Sequence, residues 1–184
     1  MNTSVKGAVA AGAAAILLMG GAGTLAYWSD SVELPGGSIQ TGELKLEDET
    51  CASGWVYGAG SAAGSPVTRV VPGDVIEKEC TFDIVAIGDN LSADLTVPST
   101  ATFGTGTPGS FTATVAATYE DADGDPVPST ITDADDGPVT ATITVTFPFG
   151  TAETATTPVN INETQGITAT LDAITVSVEQ NAPS

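Results

Sequence analysis

Apolar and polar residues alternate strictly along much of this chain. Phe111, Ala113, Val115, Ala117 and Tyr119 fall on one side of an extended segment; Thr112, Thr114, Ala116, Thr118 and Glu120 fall on the other. Val139, Ala141, Ile143, Val145 and Phe147 repeat the pattern, with Thr140, Thr142, Thr144 and Thr146 between them. A period of two residues is that of a β-strand. One apolar and one hydroxyl-bearing face predict antiparallel sheet covering a core on one side only.

Shorter alternations fill the rest. Leu44 and Leu46 alternate with Glu43, Lys45 and Glu47. Ile76, Cys80, Phe82 and Ile84 share a face, with Lys78 as the exception. Leu91, Ala93, Leu95 and Val97 predict another strand, and Val159 with Ile161 a brief one. Near the C-terminus Ile167, Ala169 and Leu171 keep one phase, while Ile174, Val176 and Val178 keep the other. The slip at Asp172-Ala173 predicts a β-bulge or a bend. Pro72-Gly73-Asp74 and Gly88-Asp89-Asn90 are turn chemistry. The Gly/Ala/Ser-rich stretch from Ala52 to Pro66 reads as a flexible loop. No stretch carries a 3.6-residue apolar period. The expected fold is all-β: a two-sheet antiparallel sandwich, jelly-roll-like, preceded by a helical signal segment.

That segment lies within the first thirty residues. Lys6 precedes an uncharged stretch from Gly7 to Ala26, and Thr24-Leu25-Ala26 is a small-x-small site ahead of Tyr27-Trp28. A positive start, an apolar middle and a small-residue site predict an export signal cut between Ala26 and Tyr27. The alternative is a retained anchor, since the stretch is long enough to span a bilayer. Against it, Ala and Gly dominate the stretch, and Asp30 and Glu33 follow it instead of a basic flank. The expected organisation is a signal peptide over 1–26, an N-terminal segment and candidate donor strand over 27–37, a sandwich domain over 38–180 and a tail over 181–184. The mature chain is expected to be secreted or at the cell surface, with no stable membrane anchor after cleavage.

Charge narrows the partners. Of 184 residues, 158 follow Ala26, and they hold 3 basic residues against 23 acids, a net −20. Nucleic acid and anionic lipid are excluded as partners, because their phosphates are repelled. There is no His. That removes Ser-His-Asp and Cys-His catalysis and the His-based zinc sites. Two Cys in an exported chain predict a Cys51–Cys80 disulfide, with two separate buried thiols as the alternative.

Candidate chemistry is sparse. In Glu120-Asp121-Ala122-Asp123-Gly124-Asp125, the acids Asp121, Asp123 and Asp125 resemble the start of a calcium loop, with Asp133, Asp135 and Asp136 close behind. The EF-hand pattern needs Gly after the third acid and Glu at position 12; here Gly124 precedes Asp125 and Thr132 holds that position. The competing reading is a hairpin on Asp-Gly turn chemistry. The Ser and Thr residues have no base beside them and read as outward strand positions. Trp28, at the new N-terminus, either folds onto its own sandwich or marks an interface. In Tyr27–Glu33, Tyr27 and Ser29 alternate with Trp28, Asp30 and Val32, and Gly36-Gly37 offers a hinge. Tyr27, Trp28 and Val32 are therefore the candidate assembly residues.

Gly20-Gly-Ala-Gly-Thr-Leu-Ala-Tyr-Trp-Ser-Asp30 resembles the signal junction of the TasA/camelysin group of Gram-positive exported proteins. Ser38-Ile39-Gln40-Thr41-Gly42-Glu43-Leu44-Lys45-Leu46 resembles that group's first strand. Val71-Pro72-Gly73-Asp74 with Cys80-Thr81-Phe82-Asp83-Ile84, and the tail from Leu171 to Val178, are similar to its later strands. The resemblance implies cleavage by an ER-type signal peptidase, a jelly-roll sandwich and a place in biofilm-matrix fibres, with Tyr27 to Ile39 as the inserting strand. It implies partners that are copies of the chain or related matrix proteins. The function expected is a non-enzymatic structural protein that self-associates, with no cofactor beyond the candidate calcium. The alternatives are a secreted camelysin-like peptidase, which the lack of His disfavours, and a calcium-dependent adhesion module.

Overall fold

The computed structural model describes residues 29–104, 106–108, 111–150 and 164–182. The predicted signal segment, the cut at Ala26 and Tyr27, Trp28 and the predicted Val159–Ile161 strand lie outside the described residues. In chain order the strands are β1 (Glu43–Cys51), β2 (Val56–Tyr57), β3 (Val75–Ile87), β4 (Ala93–Thr96), β5 (Thr114–Asp121), β6 (Pro126–Val127), β7 (Thr130–Ile131), β8 (Gly137–Thr146) and β9 (Ser177–Gln180). The helical content of the described residues is limited to 3-10 structure, at Asp133–Asp135 and at Thr164, so the all-β expectation holds. No helix among the described residues is long and apolar enough to cross a membrane.

Two antiparallel sheets result. The first runs β1-β3-β8-β5-β6, with β2 also paired to β3; the second runs β7-β4-β9. The two strictly alternating stretches become β5 and β8, paired from Thr114↔Thr146 to Asp121↔Val139. Their apolar positions face inward: Val115, Tyr119, Val139, Ala141, Ile143 and Val145 are all buried. Ile76, Phe82, Ile84 and Ala86 join them from β3, and Ala93, Leu95 and Ile131 come from the second sheet. All belong to one hydrophobic cluster, the sandwich-like arrangement in which each sheet buries a single face. No polar or charged residue is buried among the described residues. The Tyr119 hydroxyl is the one buried side-chain polar atom without a partner among them, and burial raises its pKa.

Turn chemistry fixes the ends of β3. Asp74 N donates to Val71 O at 3.0 Å, and Gly73 sits at φ +96°, where Pro at the preceding corner and Gly at the next suit a type II turn. At the other end a Cβ on Gly42 would collide with the Ile87 carbonyl. Glycine there lets β1 begin directly against the end of β3.

Two expectations change, and a third gains its physical cause. Ile39 was read as part of the first strand; it is 94% exposed and lies ahead of β1, which starts at Glu43. The described residues up to Ile39 have no regular structure, and the chain divides into units between Ile39 and Gln40. The stretch from Ala52 to Pro66 is no open loop but a paired hairpin, described below. The slip at Asp172-Ala173 is real in burial, since both residues are exposed between half-covered Leu171 and Ile174. Its cause is a change of partner. Asp172 N bonds Thr102 O and Gly104 N bonds Thr170 O, whereas Ser177–Gln180 pairs with β4.

The second sheet is tied at its end by a carboxylate. Asp94 Oδ1 accepts the Thr130 hydroxyl at 2.6 Å and Asn181 Nδ2 at 3.2 Å. Asn181, read as the start of the tail, also donates its N–H to Ser92 O. The Thr130 bond first and the Asn181 bond second hold the Asp94 carboxyl below the usual carboxylate range. A folded pKa below the unfolded one stabilises fully above the unfolded value, about 3.9, and the gain is lost as pH falls through the folded value. The stability gap between wild type and Asp94→Asn should therefore shrink when pH is lowered from about 6 to about 3. Thermal unfolding at both pH values checks this; an unchanged gap counts against the linkage.

Candidate functional site

Residues 55–67 form a small hairpin laid against the start of β3. Val67 N donates to Trp55 O at 3.0 Å, Tyr57 N to Ser65 O at 3.0 Å and Gly64 N to Tyr57 O at 2.7 Å. Its β2 strand pairs Val56 with Glu77 and Tyr57 with Ile76. Gly60 and Gly64 turn the hairpin at φ +80° and +78°, conformations that cost a side-chain-bearing residue energy. The Tyr57 hydroxyl donates to the Arg69 carbonyl. Trp55 and Arg69 are thus held by one flap.

The flap borders a cleft of about 830 Å³, a size typical of small-ligand sites. Trp55, Val67, Val70, Ile76, Ile167 and Leu171 line it together with Phe103, Phe111 and Phe147. The three Phe rings form a cluster, with centroids 4.8 Å (Phe103–Phe111), 5.5 Å (Phe111–Phe147) and 6.3 Å (Phe103–Phe147) apart. Such tilted and edge-on contacts are favourable ring geometries. Thr68, Arg69, Thr164 and Thr168 supply polar groups.

Cations are scarce, so their placement matters. Lys45 Nζ lies 2.9 Å from both Glu43 Oε1 and Glu47 Oε2. Glu47 first and Glu43 second hold its pKa well above the usual range. Exposed pairs of this kind add little stability. Lys78, the exception on the inner face of β3, stands 6.0 Å over the Trp55 ring, a cation–π distance. The flap thus gives that polar exception a partner. Neither Lys78 nor Arg69 has an ion-pair partner among the described residues.

The predicted disulfide is present. Cys51 and Cys80 are directly opposite in the β1–β3 register, with Cα atoms 4.0 Å apart. A register shift between Glu47 and Thr50 makes this pairing work. Strict alternation from Leu46 would turn Cys51 outward. The extra residue, with Asp48 at φ +56°, reverses the phase so that Cys51 shares the face of Cys80.

The acidic candidates lie in turns. Asp121 Oδ1 accepts the N–H of Asp123 at 2.9 Å and of Asp125 at 2.8 Å. Gly124 N donates to Asp121 O at 3.1 Å, closing the β5–β6 hairpin. Asp135 and Asp136 carboxylates likewise accept the N–H of Thr132 and Ala86, both at 2.8 Å. No group of three or more acids or cysteines among the described residues is gathered to hold a metal ion. Of the assembly candidates, only Val32 is described, and it is 81% exposed. Sequence analysis did not single out Arg69, Phe103 or Phe111 as site residues; the structure places all three on the cleft. The scarcity of aromatic and basic residues was the available signal.

Compared with family models, curated proteins and solved structures, the chain matches none.

Proposed function

We propose that the chain is an exported, non-enzymatic structural protein of a biofilm matrix or cell surface, associating with copies of itself or related matrix proteins. Its sandwich is read as jelly-roll-like, because the chain passes repeatedly between the two sheets: β3 to β4, β4 to β5, β6 to β7, β7 to β8 and β8 to β9. Export by an ER-type signal peptidase rests on the signal junction, and the disulfide supports an oxidising destination. The observation that carries the assembly reading is exposed apolar surface ahead of β1. Val32, Leu34 and Ile39 are 81%, 78% and 94% exposed in a segment without regular structure. Val32 and Leu34 lie two residues apart, the spacing of one face of a strand, and a segment of that kind is suited to adding a strand to a neighbour's sheet. The large negative charge opposes association, so salt or divalent cations favour it by screening.

Deleting 27–35 should abolish assembly and leave a folded monomer. Sizing and electron microscopy of the mature protein, with and without salt and calcium, read this out. Assemblies that persist in the deleted protein, or a full-length protein that stays monomeric throughout, reject the proposal.

A further inference from the structure

We propose that the cleft beside the 55–67 hairpin binds a small amphipathic carboxylate, an apolar chain with one anionic end, and that Arg69 anchors the carboxylate. Three observations point the same way. The cleft has ligand dimensions, about 830 Å³, and a floor of mutually packed Phe103, Phe111 and Phe147. That floor takes an apolar body and offers it few hydrogen bonds. Arg69 lines the same cleft, and a guanidinium matches a carboxylate in a two-point fork. Its backbone is fixed by the Tyr57 hydroxyl, so part of the ordering cost of binding is already met.

The charge distribution selects the ligand's head group. A chain of net −19 repels anions at long range. Two bases have no acid partner among the described residues: Arg69, which lines the cleft, and Lys78, which stands 6.0 Å over the Trp55 ring. The single guanidinium in the cleft, that of Arg69, accommodates a single carboxylate. Multiply charged head groups such as phosphates suffer more from the surrounding acids than they gain from one guanidinium. None of the residues lining the cleft belongs to the assembly segment, so the binding test is made whether or not the protein polymerises.

Titration of the purified, disulfide-bonded protein with dodecanoate, below its micelle-forming concentration, tests the proposal. Trp55 fluorescence is the readout, in a Trp28→Phe background so that one indole reports. The expected result is saturable binding of one dodecanoate per chain. Arg69→Gln should weaken it by about tenfold, equivalent to ~1.4 kcal/mol. Dodecanol should bind wild type about as weakly as dodecanoate binds the variant, and should be indifferent to Arg69→Gln. Absence of saturable binding, or equal affinity for dodecanol and dodecanoate, overturns the proposal. So does binding of a 29–39 peptide in place of dodecanoate with the same dependence on Arg69, which assigns the cleft to a neighbouring copy.

Discussion

Ile84→Ala should destabilise the fold by about 2–5 kcal/mol, while Val85→Ala, one residue along the same strand, should cost under about 1 kcal/mol. Ile84 is 1% exposed. It sits in the C-terminal half of β3, paired to Leu46 on one side and Gly137 on the other. Truncation removes apolar area from water and leaves a cavity that neighbours on three strands cannot collapse into without breaking ladders. Val85 points to the opposite face and is only half-covered, so its loss leaves no enclosed void. For a domain of this size the Ile84 variant should melt roughly 2–4 °C lower per kcal/mol lost. Urea or thermal unfolding of both variants decides the matter. Equal costs would mean that the face assignment of the longest strand is wrong.

That assignment was legible in the sequence because the alternation is strict. Thr140, Thr142, Thr144 and Thr146 separate five apolar positions without exception, and a one-residue slip would bury every hydroxyl. β5 is legible for the same reason, and β3 is so except at Lys78. The flap was not. Its strand is two residues long, too short to show a period, and Gly60 and Gly64 read equally well as loop composition. Its order comes from pairing with β3 about twenty residues away, and a local pattern cannot carry a contact at that separation. Ile39 misleads in the opposite sense: it sits in the stretch that resembles a first strand, but pairing starts only where Gly42 lets the chain pass Ile87.

The site was less legible than the fold, and for a related reason. The residues around the cleft come from residues 55–70, the start of β3, the stretch before β5, Phe147 just past β8 and the segment before β9. Nothing in their spacing connects them. Trp55 was noticeable as one of two tryptophans, and Lys78 as a polar break in an apolar face. That these two anomalies explain each other, ring under ammonium, follows only from the register of β2 on β3.

Replacing both cysteines with Ala should cost about 3–4 kcal/mol and leave the fold intact. The bridge closes a loop with a sequence separation of 29, and the chain-entropy relation gives that magnitude for such a loop. The loss should also have a location. Beyond the bulge, β1 is held to β3 by only the pairs Thr50↔Thr81 and Cys51↔Cys80, with the Ala52 N–H to Glu79 O bond next to them. The strand there is an edge, with no neighbour on its other side in the sheet order. Without the bridge, this end should fray first, because opening it exposes little apolar surface. The β3–β8–β5 ladders should hold, since their buried face is supplied by residues that never touch the bridge's entropy. Amide exchange should therefore accelerate at Thr50 to Ala52 while β8 stays protected, and urea unfolding should give the global loss. A double variant with wild-type exchange at Ala52 and unchanged stability would show that the sheet alone holds β1. One that unfolds outright would show the opposite, that the core is too small to stand without its covalent tie.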